Sequence, residues 1–165
     1  MTKPVKIIII VAAIIPVGLT CILILMTLAI PAMQQVNKRA HQTSAIASLR
    51  MLNAMEGEYN SNYPDRGFAC SLGILGGDVG SGAPTADAAQ LIPSDLASGA
   101  KAGYIFTISG CTKTKVHNKE MVTGYEITAV PSVLHRSGDY GFCTNEDAQI
   151  RFDPRGGTNC TNLLQ

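Results

Sequence analysis

The sequence predicts an α+β fold: a long N-terminal helix, membrane-spanning in its first half and amphipathic in its second, packed on a C-terminal antiparallel sheet of about four strands. Three observations predict it. Residues 7–30 form an apolar run without a single charge. Apolar residues then recur three and four apart as far as Tyr59. Beyond residue 103, short segments alternate apolar and polar side chains.

A hydrocarbon core about 30 Å thick is crossed by about 20 helical residues. The run 7–30 is long enough, with some tilt to spare. A cleaved signal peptide has an apolar region of only about 7–15 residues ending at small residues; here Pro31 follows the only small pair, Thr27 and Ala29. A lipoprotein anchor at Cys21 fits poorly, because Gly18-Leu19-Thr20 precedes it and residues 22–30 are apolar rather than a polar tether. An uncleaved signal-anchor helix is the expectation. Pro16 removes a backbone hydrogen bond mid-span, Gly18 loosens the next turn, and Pro31 closes the run. These three are the expected membrane-helix kinks. Each is either a harmless bend or a point where the helix yields when packed against copies of itself.

Lys3 and Lys6 precede the span, and Lys38 and Arg39 follow it, so flanking charge leaves the orientation nearly tied. The cysteines decide. Cys21 lies in the span, and Cys70, Cys111, Cys143 and Cys160 lie beyond it. An even number in a small domain reads as a disulfide framework in an oxidising compartment. None forms a CxxC pair and no histidine sits at ligand spacing, so a zinc site competes poorly. The expected placement is single-pass in the inner membrane, with the N-terminus cytoplasmic and the C-terminal domain periplasmic or at the cell surface.

The organisation follows in order. Residues 1–6 are the cytoplasmic N-terminus and 7–30 the transmembrane helix. Residues 31–62 continue it as an amphipathic helix, with Ile46, Leu49, Leu52, Met55 and Tyr59 on the apolar stripe. Residues 63–103 form a Gly-rich connection with short helices, one expected at 86–91 and one turn from Pro93 to Gly99. Residues 104–165 carry the sheet and a C-terminal disulfide loop. Strands are expected at 104–109, 124–130, 140–144 and 149–153, as an antiparallel meander with one face on the helix.

The plan and its local text resemble the type IV pilins and the pseudopilins of type II secretion. Leu28-Ala29-Ile30-Pro31 looks like the end of the pilin membrane segment. Lys38-Arg39-Ala40, Ser44 to Arg50 and Tyr59 look like its amphipathic continuation. Gly141-Phe142-Cys143 through Ile150-Arg151-Phe152 looks like the last hairpin of small pilins. The resemblance implies a membrane-anchored structural subunit or assembly factor of a type IV pilus or type II secretion-like filament, not an enzyme. Its partners would be membrane lipid, other pilin-like subunits through the apolar helix, and the pilus or secretion assembly machinery. The leader signal of that family, a Gly cut before Phe with Glu shortly after, falls here on Ile9, Ile10 and Ile14, so the chain is expected to stay uncleaved. The alternative is a membrane-tethered extracytoplasmic binding module of the same fold that enters no filament.

Four cysteines allow three pairings. Cys143 lies in the first strand of the last hairpin, and Cys160 follows a turn at residues 154–157, which favours Cys143–Cys160. Cys70 follows the long helix and Cys111 ends the first strand, which favours Cys70–Cys111 and leaves Cys21 free. Cys70–Cys160 is the competing arrangement.

No catalytic set emerges. His41, His117 and His135 lie far apart and read as surface residues. Ser109-Gly110-Cys111 is not a nucleophile elbow, and Gly76-Gly77-Asp78 and Gly156-Gly157 read as turns rather than a phosphate loop. Residues 153–159 offer few carboxylates for calcium. The triplet Asn159-Cys160-Thr161 matches a glycosylation acceptor with a cysteine at its centre. No cofactor and no metal are expected. A net charge of +1 on 165 residues gives no basic surface for nucleic acid.

Overall fold

The computed structural model describes the backbone of residues 3–77, 80, 82–116 and 118–164, with side chains from residue 33 onward. Helix α1 spans Lys3–Asn62. The chain divides into two compact units, residues 1–37 and 38–165. In the first, the described side chains Met33 and Val36 are each 62% exposed. The expected span 7–30, its kinks at Pro16, Gly18 and Pro31, and Cys21 all lie outside the residues whose side chains are described.

Two expectations need correction. Among the described residues no helix is long and apolar enough to cross a membrane. From residue 33 on, α1 carries Lys38, Arg39, Arg50, Glu56 and Glu58, so no apolar window of membrane length exists there. The fold class with a membrane half, and the single-pass inner-membrane placement, are therefore overturned. The sheet is also larger than four strands.

In the second unit the connection after α1 holds two single-turn helices, α2 (Leu72–Leu75) and α3 (Ser94–Ala97). Six strands follow: β1 Ala100–Lys101, β2 Tyr104–Val116, β3 Lys119–Pro131, β4 Gly141–Asn145, β5 Arg151–Asp153 and β6 Asn162–Leu163. They form one antiparallel meander in chain order. Segments 112–116 and 119–123 carry lysines and lie outside the core, and a periodicity argument reads them as loop. Their backbones nonetheless pair, Thr114 with Met121 and Val116 with Lys119, which carries the β2–β3 hairpin beyond the core as an exposed ribbon. Both outermost strands have two residues, and β1 pairs with β2 only at Tyr104 and Ile105.

The core sits between α1 and the inner face of the sheet. From α1 come Ala45, Leu49, Leu52 and Tyr59; from the sheet Tyr104, Phe106, Ile108, Tyr125, Ile127, Ala129 and Phe142. Fully burying one such large side chain stabilises by about 1.5–3 kcal/mol. Ile46 and Met55, expected on the stripe, are only partly buried; the buried positions are Ala45 and Glu56. Asn53 ties helix to sheet by donating to Thr144 Oγ1 at 2.7 Å and accepting from the Tyr125 hydroxyl at 3.2 Å.

The Gly-rich connection is more ordered than a loose loop. Instead of a helix at 86–91, residues 89–92 run back along 74–76, with Ala89 and Leu91 amides donating to the Ile74 and Leu75 carbonyls at 2.8 Å each. The turn expected from Pro93 to Gly99 is α3, closed by Gly99 at φ 81°.

Candidate functional site

The last hairpin, β4–β5, is held by one carboxylate and one disulfide. Asp153 is buried, and its two oxygens accept the amides of Arg155 at 2.9 Å and Asn159 at 3.2 Å. The Arg155 amide above all holds this carboxyl below the ordinary value of 3.8, against the cost of burial. The segment weighed for calcium thus closes on Asp153 itself, as an Asx-type turn. The chain then crosses β4 at Gly141, where any Cβ would strike the Gly157 carbonyl oxygen. That crossing delivers Cys160 to Cys143, with Cα atoms 5.9 Å apart. Cys70 and Cys111 form the second bridge, at 6.1 Å, so the pairing is the one that strand order favours. Two disulfides are consistent with a periplasmic or extracellular protein. Cys160, the middle residue of the glycosylation triplet, is bonded through its sulfur.

On the sheet face turned away from α1 lies an open groove of about 220 Å³. It exists because β2 shifts register between Ser109 and Thr112. Gly110 and Gly124 contribute no side chains to fill it, and the Cys143–Cys160 bridge forms part of its wall. Glu126, Glu146 and Arg151 also line it. Arg151 is engaged with Asn145 Oδ1 at 3.1 Å and Asp147 Oδ2 at 2.5 Å, and this bond holds the Asp147 carboxyl below its ordinary value. Glu146 accepts one long bond, from the Tyr125 amide at 3.4 Å. Among the described residues the Glu126 carboxyl has no hydrogen-bond partner, its backbone pairing with Ser109 and Asn145. The groove is therefore net acidic and suits a cationic group.

The loop 132–140 forms a second distinct surface. Lys38 grips both oxygens of Asp139 at 2.8 and 3.1 Å, and His135 Nδ1 lies 3.1 Å from Asp139 Oδ1. The Lys38 ammonium first, then His135, holds the Asp139 carboxyl below its ordinary value. His41 Nδ1 meets the Ser137 carbonyl oxygen at 3.1 Å, so that nitrogen carries the proton. The Ser137 hydroxyl donates to the Val133 carbonyl and accepts the Val133 amide, each at 3.0 Å. His41, Ser137 and His135 thus hold the loop on α1 rather than forming a nucleophile–base pair. Around them Val133, Leu134 and Tyr140 stay exposed. His117 lies outside the described residues. Among the described residues no group of three or more His, Cys, Asp or Glu is placed to hold a metal ion.

Apolar patterning in the sequence singles out neither Glu56 nor Asn53. Glu56 carried a usable signal: it falls four residues after Leu52 and three before Tyr59, at core spacing. Comparison with known proteins finds no matching family model, no matching curated protein and no matching solved structure.

Proposed function

We propose that this chain is a structural subunit of pilin-like plan that assembles with other such subunits, or helps them assemble, through its N-terminal helix. One observation carries the reading. Helix α1 begins in a compact unit of its own, residues 1–37, whose described apolar side chains Met33 and Val36 are largely exposed. The second unit supports it: an amphipathic helix on an antiparallel meander is the arrangement the pilin resemblance implies. The mechanism is lateral packing of N-terminal helices, with the disulfide-bonded domain displayed outward. Immunogold labelling of sheared surface filaments tests it. Label along or at the tip of filaments supports the subunit reading.

The acidic groove favours a second reading, an extracytoplasmic binding module of the same fold. Filaments free of label, from cells that contain the folded protein, would favour this module over the subunit.

A further inference from the structure

The carboxyl of Glu56 sits where a helix of this kind normally carries an apolar side chain. Glu56 is 0% exposed, between Leu52 and Tyr59 on the buried stripe of α1. Its Oε2 accepts the Ala69 amide at 2.7 Å. Its Oε1 is buried and, among the described residues, has no hydrogen-bond partner. Hydrogen bonds to the charged form, about two or three of them, can keep a carboxyl ionised; among the described residues this one accepts a single donor against full burial.

That donor belongs to the segment 66–70, which returns the chain from α1 to the sheet. Arg66 pairs with Asp87 at its exposed end and the Phe68 ring packs edge-on against Tyr125; three further attachments hold it. The Phe68 amide donates to the Val122 carbonyl at 3.0 Å, and the Val122 amide donates to the Arg66 carbonyl at 2.9 Å. Glu56 holds Ala69. Cys70 is bonded to Cys111 of β2. Of the three, only the carboxyl changes with pH.

We propose that Glu56 is a proton-operated latch: protonated, it keeps the segment 66–70 docked on α1, and ionised, it releases that segment while the Cys70–Cys111 bridge retains it. An ionised carboxylate needs water at Oε1, and water reaches Oε1 only if the segment lifts. The bridge makes this a local opening rather than unfolding. The ionisable groups whose charge Glu56 senses or affects are phenols: Tyr59 on α1 and Tyr125 on β3, both pushed up by burial and neutral in this range. Arg66, Tyr63 and Asp87 act on Tyr59, and Glu146 and Asp147 on Tyr125; none of them contributes to Glu56. Burial, partly offset by the Ala69 amide, raises Glu56 from 4.5 to about 7. The segment therefore docks below neutral pH and loosens above it.

The test uses the full chain, isotope-labelled for NMR, beside Glu56→Gln. The opening constant of the Ala69 amide, measured by hydrogen exchange and referred to the variant, should rise about thirtyfold between about pH 5.5 and 8.5, as linkage between a docked value near 7 and an open value near 4.5 requires. Equal protection in both proteins at both pH values overturns the latch. Should Glu56→Gln fail to fold, the carboxyl ¹³C titration of the unmodified chain decides. A midpoint near 7 shared with the Ala69 and Val122 amide shifts supports the proposal; a midpoint near 4.5, or amide shifts that ignore it, sinks it.

Discussion

Opening the Cys70–Cys111 bridge should cost this fold more than opening Cys143–Cys160. The first spans 41 residues and the second 17. Loop-closure entropy gives about 3.9 kcal/mol for the longer loop and about 3.1 for the shorter at 25 °C. Paired alanine variants, Cys70→Ala with Cys111→Ala and Cys143→Ala with Cys160→Ala, isolate each bridge. Both are made in a Cys21→Ala background so that no thiol remains to exchange. Equilibrium urea unfolding, followed by tyrosine fluorescence and far-UV circular dichroism, reads the difference. With an m-value of about 2 kcal/mol/M, the midpoints should fall by about 2 M and about 1.6 M. Packing works against this order, because Cys143 is buried at 4% exposure while Cys111 is only half-buried. A larger loss from the 143–160 pair would mean that packing under the last hairpin, not chain entropy, sets the contribution, and the reasoning would fail.

Stability should also report the buried carboxyl. Because the folded pKa of Glu56 is raised, its ionisation opposes folding, so stability declines as pH rises from about 4.5 to about 7 and then levels, by on the order of 3 kcal/mol. Glu56→Gln should flatten that decline, which unfolding curves at stepped pH will show; an equally steep decline in the variant would refute it. The lowered carboxyls of Asp139, Asp147 and Asp153 act oppositely, contributing stability above 3.8 that is lost as pH falls through their folded values. Leu52→Ala, at a side chain with 0% exposure, should lose about 2–5 kcal/mol, whereas Met33→Ala should change domain stability by less than about 0.5 kcal/mol. A fragment of residues 38–165 should fold with both disulfides intact, since the whole core cluster lies within it. Aggregation without dispersed amide signals would contradict that.

The amphipathic half of α1 and the meander were legible because each rests on a local signal. Leu49, Leu52 and Tyr59 repeat at helical spacing, and Tyr104, Phe106 and Ile108 alternate at strand spacing. The β2–β3 ribbon was not legible, since Lys113, Lys115 and Lys119 bury nothing and alternation speaks only where one face is buried. The site is the poorer case. The acidic groove depends on a register shift at Ser109 and on where the chain crosses Gly141, and neither is written in a local pattern.

Glu56 shows how a phase error hides a functional group. A stripe traced through hydrophobicity alone steps from Leu52 to Met55, because methionine scores as core and glutamate does not. A stripe traced through geometry steps four residues instead, 45–49 and 52–56, with three between 49 and 52 and between 56 and 59. That phase puts Glu56 inside and leaves Met55 half-covered, as found. The difference is one residue, about 100° of helix rotation. A charged residue at an otherwise apolar core position is usually explained away by rotating the helix. Here the rotation is excluded by Asn53, whose side chain must reach both Thr144 and Tyr125. With Asn53 fixed on the sheet, Glu56 points beneath Ala69, and its buried carboxyl follows from the geometry of the helix.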